Sequence, residues 1–232
     1  KLTGTGKTVD TLSVTNTVAT FWITGTYTNV ADIHVRKNMI VDGTFTCNNI
    51  ITTHWNFNSL TGTGTITGSG DLRLIYYNAD KYMPCTPTFG GTFKMSIRDD
   101  ASASGSTYKI GFTNDVIIPG TFIISSDYAD SSVTFNLGGY DLTASSITLG
   151  TRGILTDSVG GSVITGNVIV NGADAVLTQG AAKAITITGD LTLTLGTITQ
   201  LGTITLNGNF AQGGGTLTGS VDYWFICSGN FT

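Results

Sequence analysis

The residues with the clearest chemical potential are Asp99 and Asp100, which directly follow Arg98 in the chain. Paired aspartates can hold calcium, and an arginine such as Arg98 or Arg73 could act as the base in sugar-lyase chemistry. A glycosidase instead needs two carboxylates about 5–10 Å apart across the substrate. Adjacent strand residues face opposite ways, so this spacing does not create such a pair. We therefore expect no catalytic residue and no resident cofactor, with calcium-dependent sugar lysis or glycosidase activity as the third hypothesis.

Aromatic side chains cluster in the same part of the chain, at Tyr76, Tyr77 and Tyr82. Flat aromatic rings are the usual platforms on which sugars stack, so these tyrosines, together with the aspartate pair, are the candidate ligand-binding residues. Trp22, Trp55 and Trp224 could belong to the same platform. The favoured interpretation is that Trp22 and Trp224, which stand in apolar runs, cap the ends of the core.

The three cysteines, Cys47, Cys85 and Cys227, form no CxxC motif and have no His-paired spacing, so we expect no metal site. Sequence separation alone favours a Cys47–Cys85 disulfide, and the alternative is three buried free thiols. Asn230 begins the one N-x-Thr glycosylation sequon.

Composition excludes several classes of protein. The chain has 232 residues, of which 42 are Thr and none is Glu, with 11% charged residues and a net charge of −4. Scarce helix formers and abundant Thr rule out a helical protein. The acidic balance without basic clusters argues against a nucleic-acid partner. Apolar runs are far shorter than the roughly 20 residues of a membrane span.

A degenerate repeat organises the chain, and its unit is a glycine, a polar residue and then an apolar residue. When a distorted copy at Gly139 is counted, successive glycines are 18–29 residues apart, about 23 on average. Between them, alternation as in 185–188 and 191–195 places Ile and Leu inside and Thr toward water. This pattern predicts a single all-β domain over 1–232, a parallel β-helix (β-solenoid) of about ten irregular rungs. The alternative is an antiparallel β-sandwich or jelly roll. The repeat glycines, expected at tight corners with positive φ, are Gly25, Gly43, Gly70, Gly91, Gly120, Gly166, Gly189, Gly208 and Gly229.

Residues 75–115 interrupt the repeat and contain two of the three prolines. We expect this stretch to form an irregular, loop-bearing insertion, the kind of segment that often carries function. The chain also begins and stops in strand-like sequence, at 2–4 and 229–232. Either it is a fragment of a longer protein, or the uncapped ends are covered by neighbouring copies.

The Gly-Asp-Leu-Thr-Leu sequence at 189–193 and the Gly-Asn-Phe sequence at 208–210 resemble the repeats of secreted prokaryotic β-solenoid surface proteins. Repeats of this kind occur in filamentous-haemagglutinin-like adhesins, autotransporter passenger domains and repeat-rich archaeal surface proteins. The resemblance implies an extracellular or cell-surface, non-enzymatic role and transfers no catalytic residue. The leading hypothesis is head-to-tail self-assembly of copies into a filament or surface array through strand addition. The alternative is an adhesin or tail-spike-like domain that binds surface glycans through the 75–115 loops.

Overall fold

The structure is a computed structural model that describes residues 7–9, 20–29, 32–53, 57–76, 80–99, 107–128, 130–220 and 222–232. These residues form strands joined by turns and loops, and none of them lies in a helix. The strands are β1 (Lys7–Val9), β2 (Thr20–Ile23), β3 (Thr26–Asn29), β4 (Ile33–Val35), β5 (Asn38–Val41), β6 (Thr44–Cys47), β7 (Ile50–Thr53), β8 (Ser59–Thr61), β9 (Thr65–Thr67), β10 (Asp71–Tyr76), β11 (Lys81–Met83), β12 (Thr88–Phe89), β13 (Lys94–Asp99), β14 (Thr107–Phe112), β15 (Val116–Ile124), β16 (Ser132–Asn136), β17 (Leu142–Leu149), β18 (Gly153–Thr156), β19 (Val163–Thr178), β20 (Ile185–Ile187), β21 (Leu191–Gln200), β22 (Ile204–Leu206), β23 (Phe210–Gln212), β24 (Thr216–Gly219) and β25 (Phe225–Cys227).

Every strand pairing among the described residues is parallel, and the partners are about one repeat apart in sequence. In β3 and β6, for example, Tyr27 lies beside Phe45. The chain therefore winds as a β-solenoid of about nine coils, where a coil is one complete circuit. The predicted fold is confirmed, with a coil count close to the ten predicted. The sandwich and jelly-roll alternative is wrong because both need antiparallel neighbours.

The solenoid has three faces. Face A begins with β2, β5 and β8, face B with β1, β3, β6, β9 and β12, and face C with β4, β7, β10 and β13. From β15 onward, long strands bend around a corner and contribute to two faces. The register of β15 against β17 shifts between Ile118 and Thr121, where the B–C corner lies. Face B continues through the first parts of β15, β17 and β19 and then through β20, β22 and β25.

The core follows from strict alternation along each strand, since successive side chains point to opposite faces. In β3, Tyr27 is buried while Thr26 and Thr28 face outward. Inward side chains stack coil upon coil, as where the Phe122 and Phe135 ring centroids lie 4.9 Å apart. One buried cluster runs from coil to coil through the solenoid. Each fully buried Leu, Ile or Phe contributes about 1.5–3 kcal/mol, so this stack is the main stabilising feature.

The nine repeat glycines occupy two different corners. Gly25 and Gly43 lie between faces A and B, whereas the other seven lie between faces B and C. The predicted reason, a positive φ, is wrong for most of them, since among the nine only Gly91 and Gly166 have φ in the left-handed region. Close stacking of neighbouring coils explains the other glycines. A Cβ added to Gly208 would lie 2.3 Å from the carbonyl oxygen of Gly189, so a side chain there would collide with the neighbouring coil.

The stretch 75–115 is more regular than the sequence predicts. It contains β11, β12, β13 and β14, which belong to the solenoid, and β13 pairs with β10 over six positions. Apolar residues such as Phe93 and Met95 are buried in the core, and this burial holds the stretch in the coil. Residues 77–79 and 100–106 lie outside the described residues.

Candidate functional site

Among the described residues, the side chains predicted to bind carbohydrate do not form a common site. Tyr82 is exposed, and its hydroxyl accepts a 2.7 Å hydrogen bond from Nδ2 of Asn136. Tyr76 and Asp99 are paired along the backbones of β10 and β13, but their side chains lie outside what the structure describes. Tyr77 and Asp100 also lie outside the described residues.

Both arginines considered as bases are held by carboxylates. Nη1 of Arg98 lies 2.5 Å from Oδ1 of Asp127 and also donates to Ser125 Oγ at 2.9 Å. Nε of Arg73 lies 3.1 Å from Oδ2 of Asp71. These carboxylate contacts fix both guanidinium groups in place, so they favour a structural role. Within the described ranges, no three His, Cys or Asp side chains are grouped so that they could hold a metal ion.

The three cysteines are free thiols, so the Cys47–Cys85 disulfide is not formed. Cys47 ends β6 on face B, whereas Cys85 bridges to Leu60 on face A, two coils further along. Two coils correspond to roughly 9–10 Å along the axis, beyond the 7 Å limit of a disulfide's Cα separation. Burial raises the pKa of the Cys47 thiol to about 12 and also raises that of Cys85. Both thiols are thus inert, as the alternative predicts.

Two tryptophans predicted to be core residues point outward instead. Trp22 alternates with buried Phe21 and Ile23, so the pleat directs it to solvent, where Nε1 donates to Asp42 Oδ2 at 2.8 Å. Trp224 is 73% exposed and precedes β25. Asn230, the sequon residue, is exposed at the B–C corner.

An open groove of about 330 Å³ lies at the A–B corner, between residues 85–89 and 114–117. One polar side chain that lines it is Asn114, whose Nδ2 donates to the Cys85 carbonyl at 2.8 Å. Oδ1 of Asn114 accepts the Cys85 N–H at 2.9 Å. Both ends of the amide therefore join neighbouring coils, so the groove is explained by coil packing.

A different region has regular geometry: the outer surface of face B. We define the threonine face as the outward side chains of β3, β6, β9 and β12. It consists of Thr26, Thr28, Thr44, Thr46, Thr65, Thr67 and Thr88.

The threonine face is a two-column array in register. Thr26 pairs with Thr44 and Thr44 with Thr65, while Thr28, Thr46 and Thr67 form the second column. Parallel strands lie about 4.7–4.9 Å apart, and positions i and i+2 lie about 6.6 Å apart along a strand. The buried residues between the columns, such as Phe45, fix which way each threonine points. The result is a flat lattice of methyl and hydroxyl groups.

The threonine face is also uncharged. No Asp, Lys, Arg or His occurs at 26–29, 44–47, 65–67 or 88–90. Arg73 and Lys94 lie on face C, and Lys109 lies on face A. Within the described part of the chain, the seven threonine side chains form no hydrogen bond with other protein groups. Their hydroxyls are thus available to a partner as donors and acceptors.

Sequence reasoning recognised outward Thr but missed this array. Its signal is the Thr-x-Thr triplet at 26–28, 44–46 and 65–67, repeated at intervals of 18 and 21 residues, one coil each. No described residue belongs to a helix able to cross a membrane. No protein-family model, curated protein or solved structure matches the chain significantly.

Proposed function

We propose that the chain is a non-enzymatic attachment protein that binds an extended, ordered and uncharged surface through its threonine face. The observation that carries this proposal is the in-register, charge-free array of seven threonines on face B. Monomeric surfaces rarely repeat one side chain at fixed spacing in two directions. Such regularity is useful when the partner is itself a lattice, because each contact can then be made at every repeat.

Rigidity supports the same role. Thr is β-branched and has few χ1 rotamers, and β3, β6 and β9 are each hydrogen-bonded to strands of both neighbouring coils. Little side-chain freedom is lost when such an array meets a flat partner, so many weak contacts add up to firm adsorption. An extracellular location belongs to this proposal, since a solid surface is met outside the cell, and the resemblance to secreted surface proteins agrees with it.

The test is adsorption of the purified protein to a panel of insoluble solids: ice, crystalline cellulose, crystalline chitin and silica. Thr46→Lys places a charge in the middle of the array, whereas Thr52→Lys changes an equally half-buried threonine of the same coil on face C. We expect adsorption to at least one solid, lost in T46K and kept in T52K. Equal adsorption of both variants, or none to any solid, would overturn the proposal.

Self-assembly of copies into a filament or array is a second candidate, favoured by one specific observation. Phe231 bridges to Phe210 one coil earlier, yet Phe231 is 62% exposed while Phe210 is fully buried. Parallel strand addition beside this coil would bury Phe231 and the partly buried Phe225, and such head-to-tail contacts propagate. The strand that covers Phe231 would belong either to a further coil of a longer chain or to a second copy.

Negative-stain electron microscopy at low and high protein concentration separates these two sources of cover. Fibres or sheets that grow with concentration support stacking of copies, and a Phe231→Asp variant should then remain as single rods. Short rods at every concentration would overturn the self-assembly proposal and leave surface attachment unaffected, because the threonine face lies along the side of the solenoid.

A further inference from the structure

We infer that the surface bound by the threonine face is ice. This inference rests on the proposed function and names the lattice that the face fits. The spacing between coils, about 4.7–4.9 Å, is close to the short repeat of oxygen positions on a prism face of hexagonal ice. The spacing between columns, about 6.6 Å, is roughly a tenth shorter than the long repeat of the same face. Neighbouring threonines can therefore hold water molecules near lattice positions along the coils and, less closely, across the columns.

The chemistry of the side chains fits the same partner. Each threonine offers one hydroxyl, which can donate and accept as a water molecule does, and one methyl group. The methyl groups in the troughs between hydroxyls confine water without binding it strongly, so water over the face can adopt an ice-like order. In-register stacking places these groups identically in β3, β6 and β9.

The absence of charge on this face supports ice against other solids. Ions are excluded from the ice lattice, and a Lys or Asp would order water radially around itself. Residues 26–29, 44–47, 65–67 and 88–90 contain no such side chain. Crystalline polysaccharide is the competing partner, and proteins that bind it stack aromatic rings on sugar faces. The outward positions of β3, β6, β9 and β12 hold threonine and no aromatic ring.

The array ends at β12, the last strand of its sheet. Ile117 is 66% exposed on face B, directly beyond the coil that contains Thr88, and it pairs with Thr143. Beyond it the face continues with Thr143 beside Thr165 and with Thr186 beside Thr205. Ile117 and the groove between residues 85–89 and 114–117 thus separate the two-column array from a further set of outward threonines. Replacing Ile117 with threonine would extend the row of Thr143 and Thr165 by one coil toward the array.

The experiment is thermal hysteresis, the gap between melting and freezing points of a single ice crystal, measured for the purified chain and three variants. We expect a gap and faceted crystals for the unchanged protein and for Thr52→Lys. We expect loss of the gap for Thr46→Lys and a wider gap for Ile117→Thr. Circular dichroism and the melting temperature are recorded for each variant, so that loss of folding is not mistaken for loss of binding.

Ile117→Thr keeps the inference testable even if T46K fails to fold, since a gain in hysteresis cannot come from unfolding. No gap for the unchanged protein, or an identical gap in folded T46K, overturns the ice assignment. If hysteresis is absent but adsorption to cellulose or chitin is lost in T46K, ice is wrong and surface attachment stands. If neither ice nor any solid on the panel is bound, both proposals fall.

Discussion

Oδ1 of Asp190 accepts two hydrogen bonds from Asn209, one from its backbone N–H at 2.8 Å and one from its side-chain amide at 3.0 Å. The same relationship joins the neighbouring coils. Asn167 Oδ1 accepts the Asp190 N–H, and Asn209 Oδ1 accepts the Asn230 N–H, both at 2.9 Å. These four residues form a polar ladder along the B–C corner. The ladder explains why the repeat places Asn or Asp directly after glycine.

The ladder predicts a difference between two asparagines that lie two residues apart. Asn209→Ala removes an acceptor for the Asn230 N–H and a donor to Asp190, so the free energy of unfolding should fall by about 1–2 kcal/mol. Asn207 is exposed at the same corner and has no ladder bond. Asn207→Ala should change stability by less than about 0.5 kcal/mol. Urea unfolding measures both variants, and equal effects would show that the ladder contributes nothing.

Close coil packing at the corners predicts a second contrast. Gly166 has φ of +126°, and an added Cβ would lie 1.9 Å from the Ala144 carbonyl oxygen. Gly166→Ala combines backbone strain with a clash that cannot relax, so a loss of more than about 3 kcal/mol is expected. At Gly213 an added Cβ meets nothing within 4 Å. Gly213→Ala should be neutral or stabilise by up to about 1 kcal/mol.

Thermal denaturation of the two alanine variants provides the measurement for this contrast. A Gly166→Ala protein as stable as the unchanged chain would mean that the corner opens more easily than its geometry indicates.

The sequence predicts the solenoid well because each unit of its repeat corresponds to one coil of the structure. Apolar alternation as in Leu191–Leu193 and corner glycines such as Gly189 each encode one coil. The regular strands within 81–99 are not predicted because prolines such as Pro84 and Pro87 usually occur in loops. In the structure Pro87 is buried, and the strands around it pair normally. The orientation of Trp22 was missed because an apolar run does not reveal which residue of the run points outward.

The candidate site depends on information that one coil does not contain. Thr-x-Thr within a single strand is common among β-rich sequences, and the array exists only because Thr26, Thr44 and Thr65 stand side by side. That register depends on coil length, which the turns at each corner decide. Thr-x-Thr repeated at intervals of one coil is therefore the sequence signal of the site.

The thiols give a prediction about reactivity. Cys47 and Cys85 are buried and their pKa values are raised by desolvation, whereas Cys227 is partly exposed. A thiol reagent at pH 8 should therefore modify one cysteine in the folded protein and three after unfolding without reductant. Mass spectrometry identifies the modified residue. A single reactive thiol after unfolding would instead show that the other two cysteines form a disulfide.

The same shifts predict weaker folding at alkaline pH. In the unfolded chain the Cys47 thiol loses its proton near pH 9, whereas the folded protein retains that proton up to about pH 12. Between these values the unfolded state binds fewer protons, so stability falls as pH rises. The slope is at most about 1.4 kcal/mol per pH unit for each thiol.

Lys and Tyr residues titrate in the same range, so the control is a Cys47→Ala, Cys85→Ala double variant. Its stability, followed by urea unfolding from pH 8 to 10.5, should decline less steeply than that of the unchanged chain. Parallel curves would mean that the thiols do not contribute.

Replacing the buried Gln179 with an apolar residue should stabilise the protein. Its side chain is 1% exposed, and neither Nε2 nor Oε1 finds a hydrogen-bond partner among the described residues. A buried amide that is not hydrogen-bonded costs about 1–3 kcal/mol, so Gln179→Leu should raise the free energy of unfolding by about 1 kcal/mol or more. The matched control is Gln212→Leu, since Gln212 is exposed, and it should bring no gain. A lower stability of Gln179→Leu would show that the amide holds neighbouring coils together.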